Sequence, residues 1–274
     1  MAEPRLLSSA KAPLIKRIRA LAARATPEAD ARVILDGVRL IEDALAADVR
    51  LEVGIYDRRA VRASPRLAQL LAALRGRGVR LVPAEPHVVA AASQVETSQG
   101  IVAVAELPAP VPSAALGHPE LLLVVADGIQ DPGNLGTIVR VADAAAATAV
   151  AVTGRAADPR HPKTVRATMG SLFHLPVFEM DGAALLEALR ARGARILVAD
   201  RNGSIDYSDA DYTPPVALVL GSEAHGPDPQ WRAAAAGTLR IPIYGQAESL
   251  NVAMAAALLL YEARRAPRTA EVER

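Results

Sequence analysis

The sequence predicts an α/β protein whose main sheet is parallel and covered by helices on both faces. Apolar runs alternate with amphipathic helical stretches along the chain. Several of these runs, such as 121–126, are apolar without alternation, as expected of strands buried on both faces. Hydrophobic residues make up 51% of the chain and aromatic residues only 3%, so the core consists mainly of Ala, Val, Leu and Ile.

The 274 residues are enough for two domains, and residues 1–108 are predicted to form a small α/β domain. We expect, in order, a basic amphipathic helix over 5–24, a strand over 32–35, a helix over 38–47, a strand over 51–56, a helix over 65–75, a strand over 79–82, a helix over 87–92 and a strand over 101–106. The proline-rich segment 107–113 then marks the domain boundary.

Residues 114–274 are predicted to form the larger, parallel-sheet domain. We expect strands over 121–126, 149–153, 174–178, 195–199, 216–220 and 238–241, with helices over 163–170, 183–192 and 250–265. A further helix starts at Leu135, with Asn134 as its N-cap, and carries Arg140. Glu248 or Ser249 is expected to cap the last helix.

Composition excludes some classes of site. The chain has no cysteine, which excludes disulfides and thiolate metal sites, and its five histidines lack metal-ligand spacing, so we expect no metal. The N-terminus lacks an apolar signal region and the run 252–260 is too short for a bilayer, so we expect a cytoplasmic protein without a membrane partner. The net charge is +1, and residues 1–108 hold 16 Lys and Arg against 12 Asp and Glu, only a weak indication of nucleic-acid binding.

Three segments with small and polar residues adjoin predicted strands, namely 127–136, 219–226 and 241–252. The first lacks both the dinucleotide and the P-loop glycine patterns, and Ser222 with His225 lacks the GxSxG elbow of hydrolases. Each segment alone is compatible with an ordinary turn or helix cap. Together they place backbone N–H groups, Asn amides, a carboxylate and a guanidinium at strand ends, where open α/β sheets bind ligands.

These segments, in this order, closely resemble the motifs of the SpoU/TrmH branch of the SPOUT RNA methyltransferases. Residues 134–140 resemble the first motif, residues 221–226 the second, and residues 241–242 with 249–252 the third. Residues 161–170 are similar to a common intervening segment, and the whole resemblance covers about 115–265. Residues 1–108 resemble, less specifically, the RNA-binding domain often fused ahead of this catalytic domain.

The resemblance implies a C-terminal trefoil knot, a homodimer, and S-adenosylmethionine as the methyl donor to a ribose 2′-hydroxyl of RNA. By position, the implied catalytic and substrate residues are Asn134, Arg140, Glu223, Ser249 and Asn251. The implied cofactor-binding residues are Leu220, Gly221, Gly226, Ile241, Ser249 and Leu250. Ala253 departs from the family, which often has Ser there.

The separate N-terminal domain favours large-subunit ribosomal RNA as the substrate. Two alternatives remain open. One is methylation of transfer RNA, and the other is a non-catalytic RNA-binding or assembly protein that retains the fold.

Overall fold

A computed structural model describes residues 6–23, 31–222 and 225–265, and the chain divides into two compact units. Unit 1 comprises the described residues of Met1–Ala109 together with Arg160–Phe173, and unit 2 comprises Pro110–Pro159 and the described residues of His174–Arg274. The sequence-based division assigned residues 160–173 to the second domain. In the structure they join unit 1, because Val165 is buried in that unit's core.

Unit 1 contains helices and strands in the alternating order that the sequence predicts, with one additional helix, α3. Its elements are α1 (Pro13–Ala22), β1 (Arg32–Asp36), α2 (Val38–Ala46), β2 (Arg50–Asp57), α3 (Arg58–Ala63), α4 (Pro65–Gly76), β3 (Arg80–Ala84), α5 (Pro86–Ala92) and β4 (Ile101–Glu106). The first helix is shorter than the predicted 5–24, because Pro13 occupies its first turn and Ala23 its C-cap.

The described strands of unit 1 form a sheet in the order β1-β4-β2-β3. β4 is antiparallel to β1 and β2, whereas β2 and β3 are parallel. Alternate strand residues enter two separate cores: Val33 and Leu35 pack with α2 and α4, while Ile34 packs with α1 and α5. The sheet is therefore covered on both faces by apolar side chains.

The described part of unit 2 begins at the proline-rich segment. Its elements are α6 (Pro112–Leu116), β5 (Leu122–Asp127), α7 (Pro132–Ala144), β6 (Ala149–Thr153), β7 (Val177–Glu179), α9 (Gly182–Ala191), β8 (Arg195–Ala199), β9 (Ile205–Asp206), β10 (Val216–Gly221), α10 (Pro229–Ala234), β11 (Gly237–Arg240) and α11 (Val252–Arg265). The helix α8 (Pro162–Ala167) lies in the segment that belongs to unit 1.

The described strands of unit 2 form a seven-stranded sheet in the order β7-β6-β5-β10-β8-β11-β9, and each neighbouring pair is parallel. In β5, Leu122 and Val124 pack with α7 and α11, whereas Leu123 and Val125 pack with α9 and α10 on the opposite face. The prediction of an α/β fold with a parallel sheet between helices is thus confirmed. No described helix has the length and apolar character needed to cross a membrane.

In unit 2, the predicted starts of α7 and α11 are also wrong. α7 begins at Pro132 rather than Leu135, because Asp131 is the N-cap and accepts a hydrogen bond from the backbone N–H of Asn134 at 2.8 Å. The last helix is capped by neither Glu248 nor Ser249. It begins at Val252, and the side chain of Asn251 accepts from the backbone of Ala253 at 2.9 Å.

Candidate functional site

The first two polar segments leave neighbouring strands at the same level of the sheet. β5 and β10 pair in register, with Gly221 opposite Asp127. β6 lies on the other side of β5, and β8 lies on the other side of β10. The strands that continue the sheet from β5 and from β10 therefore lie on opposite sides of this pair. In an open α/β sheet, the carboxyl ends of two such strands usually form the ligand-binding crevice.

The buried carboxylate of Asp127 connects these loops. Its Oδ1 accepts a hydrogen bond from Thr153 Oγ1 at 2.7 Å, and its Oδ2 accepts from the backbone N–H of Asp228 at 2.7 Å. Gly154 has a φ of +65°, and a Cβ there would lie 3.2 Å from Oδ1 of Asp127. One carboxylate thus joins the ends of β5 and β6 to the end of the second motif loop.

Position 221 requires glycine because the backbone of residues 226–227 passes directly against it. A Cβ on Gly221 would lie 1.9 Å from the backbone nitrogen of Pro227. The loop folds back because Gly226 has a φ of +67° and its N–H donates to the carbonyl of Ser222 at 2.8 Å. These two glycines therefore shape the second motif loop, and this loop geometry explains them without a ligand.

The first and third motifs meet through two amide side chains. Nδ2 of Asn251 donates to Oδ1 of Asn134 at 2.9 Å. Asn134 lies in the first turn of α7 and Asn251 immediately precedes α11, so the contact joins the starts of two helices that pack on each other. The structure thus brings together two of the predicted site residues that lie 117 positions apart.

Arg140 lies further along α7 and is exposed. Six residues of α-helix separate it from Asn134, which corresponds to about 9 Å along the helix axis. Its guanidinium forms no hydrogen bond or ion pair with any described residue. Among the described residues, therefore, the structure records no contact between Arg140 and the two Asn residues.

The third motif loop surrounds an open cavity of about 440 Å³. Its lining consists of Tyr207, Ile241, Pro242, Ile243, Tyr244, Gly245, Gln246, Ala247, Leu250 and Leu258. Tyr244 is 96% exposed beside it. Within the described part of the chain, the backbone groups of 242–250 make no hydrogen bonds. The loop therefore offers apolar side chains together with free backbone donors and acceptors.

Tyr212 supports one wall of this cavity. Its hydroxyl donates to the carbonyl of Tyr207 at 2.7 Å. Burial raises the pKa of Tyr212 well above its usual value, and the negative charge of Glu262 acts in the same direction. The hydroxyl therefore remains protonated and keeps donating to Tyr207.

The other predicted site residues have different positions. Leu220 is buried in the unit 2 core and, like Gly221 and Gly226, does not line the cavity. Ser249 is exposed in the third motif loop but is not among the residues that line the cavity. Glu223 lies outside the described residues.

Sequence reasoning missed the structural roles of Asp127 and Asp131 and the cavity contacts of Tyr207 and Leu258. The Asp131-Pro132 pair carried a usable signal, since Asp is a preferred N-cap and Pro a preferred first residue of a helix. The contact of Asp127 with Asp228 joins distant parts of the chain, and no local pattern predicts it.

Two known families match this chain. The SpoU rRNA Methylase family matches residues 121–261, which is about half of the chain and includes all three motifs. The MRM3-like substrate binding domain matches residues 12–103. The two matches fall on either side of the proline-rich segment.

Known proteins resemble the chain over nearly its full length. It is 33% identical over 231 residues to the 23S rRNA (guanosine(2553)-2'-O)-methyltransferase RlmP of Bacillus subtilis, covering 84% of this chain and 88% of that protein. The AdoMet-bound rRNA methyltransferase from Sinorhizobium meliloti is 31% identical and superposes with a TM-score of 0.84, covering 96% of this chain and 98% of that one. The SpoU methyltransferase AviRb from Streptomyces viridochromogenes, solved in complex with AdoMet, is 32% identical with a TM-score of 0.80, covering 93% and 98%. The chain belongs to the SpoU rRNA methylase family.

Proposed function

We propose that this chain transfers a methyl group from S-adenosylmethionine to a ribose 2′-hydroxyl of large-subunit ribosomal RNA. The observation that carries the proposal is the hydrogen bond between Asn134 and Asn251, which joins the first and third motifs beside the Leu250 wall of the cavity. The RlmP relative is a methyltransferase of 23S rRNA, and it aligns with both units of this chain.

The third motif loop fits S-adenosylmethionine. A cavity of about 440 Å³ lies within the range of small-molecule sites, about 300–1,000 Å³. Ile241 and Leu250 would offer apolar contact to the cofactor, and the free backbone groups of 242–250 would offer hydrogen bonds to it. The motif resemblance adds Leu220, Gly221, Gly226 and Ser249 to the proposed cofactor site, although none of them lines the cavity.

S-adenosylmethionine supplies a methyl group bonded to a positively charged sulfur, which makes it an activated electrophile. The protein must then hold the ribose oxygen in line with that methyl group and accept a proton from a weak nucleophile. Asn134 and Asn251 are fixed by their mutual hydrogen bond, so they present amide groups in a set orientation to the ribose. Glu223 orients the ribose or Arg140 in this proposal.

Arg140 acts as a clamp on the phosphate next to the target ribose. A guanidinium stays protonated in proteins, so it is a poor general base, but it matches a phosphate in a bidentate manner. Its exposure and its freedom from pairing with described residues leave it available for that contact. A neighbouring group or water accepts the proton of the 2′-hydroxyl.

The active unit in this proposal is a homodimer in which Arg140 of one subunit clamps the RNA phosphate beside cofactor held by the other subunit. One face of α11 supports dimerisation, because Met254, Leu258 and Tyr261 are 53%, 41% and 57% exposed at helical spacing. Pairing of these faces would remove apolar surface from water. Arg140 is also displaced from Asn134 by about 9 Å along the axis of α7. This distance is consistent with a site that a second copy of the chain completes.

The C-terminal trefoil knot is part of the same proposal. β10 is inserted between β5 and β8, and α11 then packs against α7, near the beginning of unit 2. This return of the last segment to the first is compatible with a knotted path, in which the last segment would also pass through a loop of the chain. The relatives from Bacillus subtilis and Sinorhizobium meliloti are bacterial rRNA methyltransferases. We therefore expect this protein to act in the cytoplasm, where bacterial ribosomes assemble.

A transfer assay with several RNA classes tests this function. The full-length protein is incubated with methyl-labelled S-adenosylmethionine and, separately, with large-subunit ribosomal RNA, small-subunit ribosomal RNA and transfer RNA. We expect label in the large-subunit RNA alone. Label in transfer RNA would favour the alternative substrate, and cofactor binding in calorimetry without transfer to any RNA would favour a non-catalytic assembly role. Either result would overturn the proposal.

A further inference from the structure

The second motif loop, here residues 221–228, packs against a guanidinium group. A Cβ on Gly226 would lie 2.7 Å from Nη2 of Arg232. The loop closes on itself at the same point, because the N–H of Gly226 donates to the carbonyl of Ser222. The side chain of Arg232 therefore lies directly against the closing turn of this loop.

The helix that carries Arg232 is fixed in place. α10 (Pro229–Ala234) begins directly after the loop, and the side chain of its N-cap, Asp228, accepts from the backbone N–H of Gln230 at 2.9 Å. Trp231, the neighbour of Arg232, is fully buried in the apolar core to which β8 and α9 also contribute. The backbone of Arg232 thus has a set position beside β8.

The guanidinium of Arg232 pairs with a carboxylate at the end of β8. Its Nη2 lies 3.0 Å from Oδ2 of Asp200, whose side chain is only 17% exposed. The other oxygen of Asp200, Oδ1, accepts from the backbone N–H of Asn202 at 2.9 Å. Because both oxygens have a donor, the carboxylate is fixed in orientation and holds the guanidinium against the loop.

Asp200 also contacts the strand that leads into the third motif. Its backbone N–H donates to the carbonyl of Leu239 at 2.9 Å, and Leu239 lies two positions before Ile241, which lines the cavity. The ion pair of Arg232 and Asp200 therefore joins the second motif loop to the start of the third motif. The carboxylate of Asp127 holds the same loop from the side of the first motif.

We propose that Arg232 and Asp200 are positioning residues, which set the second motif loop against the start of the third motif and so shape the cofactor site. An ion pair in which the arginine is 44% exposed adds little to global stability. Its effect is local, because small displacements of the groups around a site weaken binding and transfer. This inference rests on the proposed function and assigns to it two residues that lie outside all three motif segments.

The test uses neutral variants of this pair in the full-length protein. Arg232→Met keeps the aliphatic stem and Asp200→Asn keeps the shape, but each removes a charge. Arg232→Lys retains the positive charge as the conservative variant. The control, Arg17→Met with Glu52→Gln, removes an ion pair of unit 1 whose side chains are 42% and 23% exposed, close to the 44% and 17% of the tested pair.

Calorimetry measures the affinity for S-adenosylmethionine, and hydrogen exchange of the cofactor-free protein reports on the second motif loop. We expect Arg232→Met, Asp200→Asn and their combination each to weaken cofactor binding by about 5-fold to 20-fold, with no further loss in the double variant, because the two residues act as a unit. Amides of the loop should exchange faster in all three proteins. The melting temperature should change by less than about 3 °C, since the ion pair is partly exposed.

Arg232→Lys should bind the cofactor within about threefold of the wild-type protein, because the ion pair is retained. The control pair should change neither cofactor affinity nor exchange of the second motif loop. Equal losses in Arg232→Lys and Arg232→Met, or a loss of affinity matched by the control, would overturn the inference. Unchanged loop exchange would overturn it whatever the wild-type protein does. A wild-type protein that binds S-adenosylmethionine and responds to the substitutions as expected, but methylates no RNA, would contradict the proposed function alone.

Discussion

Asn251 donates from its side-chain Nδ2 to Oδ1 of Asn134 at 2.9 Å, while its own Oδ1 caps α11. At the opposite ends of the same two helices, Arg264 Nε donates to the carbonyl of Ala145 at 2.6 Å. α7 and α11 therefore run in the same direction and are joined at both ends. A guanidinium beside the last carbonyls of α7 also interacts favourably with the helix dipole. This pairing aligns the first motif with the third.

The Asn pair can be separated from the helix cap by substitution. Asn251→Ser keeps an N-capping oxygen but cannot reach Asn134, and Asn134→Ala removes the acceptor. If the pair acts as a unit, each single variant and the double variant should lose methyl transfer to a similar extent, with a coupling free energy of about 0.5–3 kcal/mol. The rates of methyl transfer at saturating RNA, measured for the wild-type protein, both single variants and the double variant, give this coupling free energy. Losses that simply add would show that the two amides act independently.

Arg140→Lys should reduce kcat/KM for RNA by about 10-fold to 100-fold, since a charge-assisted hydrogen bond is worth about 1.5–3 kcal/mol and lysine cannot form the bidentate contact. The melting temperature should not change, because Arg140 is exposed and pairs with no described residue. S-adenosylmethionine affinity, measured by calorimetry, should also be retained. Near-full methyl transfer by Arg140→Lys would contradict bidentate clamping.

Asp127→Asn should lower both stability and S-adenosylmethionine affinity. The substitution removes the negative charge from both hydrogen bonds. It also places an NH₂ group opposite either Thr153 Oγ1, whose hydroxyl must then accept instead of donate, or the N–H of Asp228, which can only donate, at a cost of about 1–3 kcal/mol. The second motif loop would then be held less firmly. Thr153→Val is the matched control, because it removes one partner but leaves the contact with Asp228, so it should lower stability alone. Unchanged S-adenosylmethionine affinity in Asp127→Asn would show that this carboxylate does not support the cofactor site.

Met254→Glu with Leu258→Glu should convert a dimer to a monomer. Charged side chains in a buried apolar interface are strongly unfavourable, and both residues lie on the exposed face of α11. Sedimentation velocity measures the change. Val111→Glu, at another exposed apolar residue of unit 2 that is 61% exposed, is the control and should leave the sedimentation coefficient unaltered. A wild-type monomer, or a dimer that survives the double substitution, would contradict the proposed interface.

Sequence patterns predicted the central strands of the parallel sheet well, because β6 (Ala149–Thr153) and β8 (Arg195–Ala199) are apolar runs between clear turns. The two edge strands were predicted poorly: β7 (Val177–Glu179) lies later than the predicted 174–178, and the two-residue β9 (Ile205–Asp206) was not predicted. Helix starts were less accurate. Asn134 has a side chain suited to an N-cap, but Asp131, which precedes Pro132, occupies the N-cap position. Asn134 therefore lies in the first turn of the helix. The location of residues 160–173 in unit 1 depends on burial of Val165 in a distant core, which local patterns do not contain.

The candidate site could be predicted only as a list of residues. Motif resemblance named Asn134 and Asn251, but their hydrogen bond spans 117 positions and follows from the packing of α7 on α11. Arg140 contacts neither of them among the described residues, and its offset of about 9 Å from Asn134 along α7 follows from the six-residue spacing in the sequence.

The most direct test of the central claim is to locate the transferred methyl group. Large-subunit ribosomal RNA lacking the modification is incubated with the protein and S-adenosylmethionine, digested, and analysed by mass spectrometry of nucleosides and fragments. The account predicts one 2′-O-methylated nucleoside at one position, and its loss with Arg140→Ala. A methyl group on a base, or unmodified RNA despite bound S-adenosylmethionine, would contradict it.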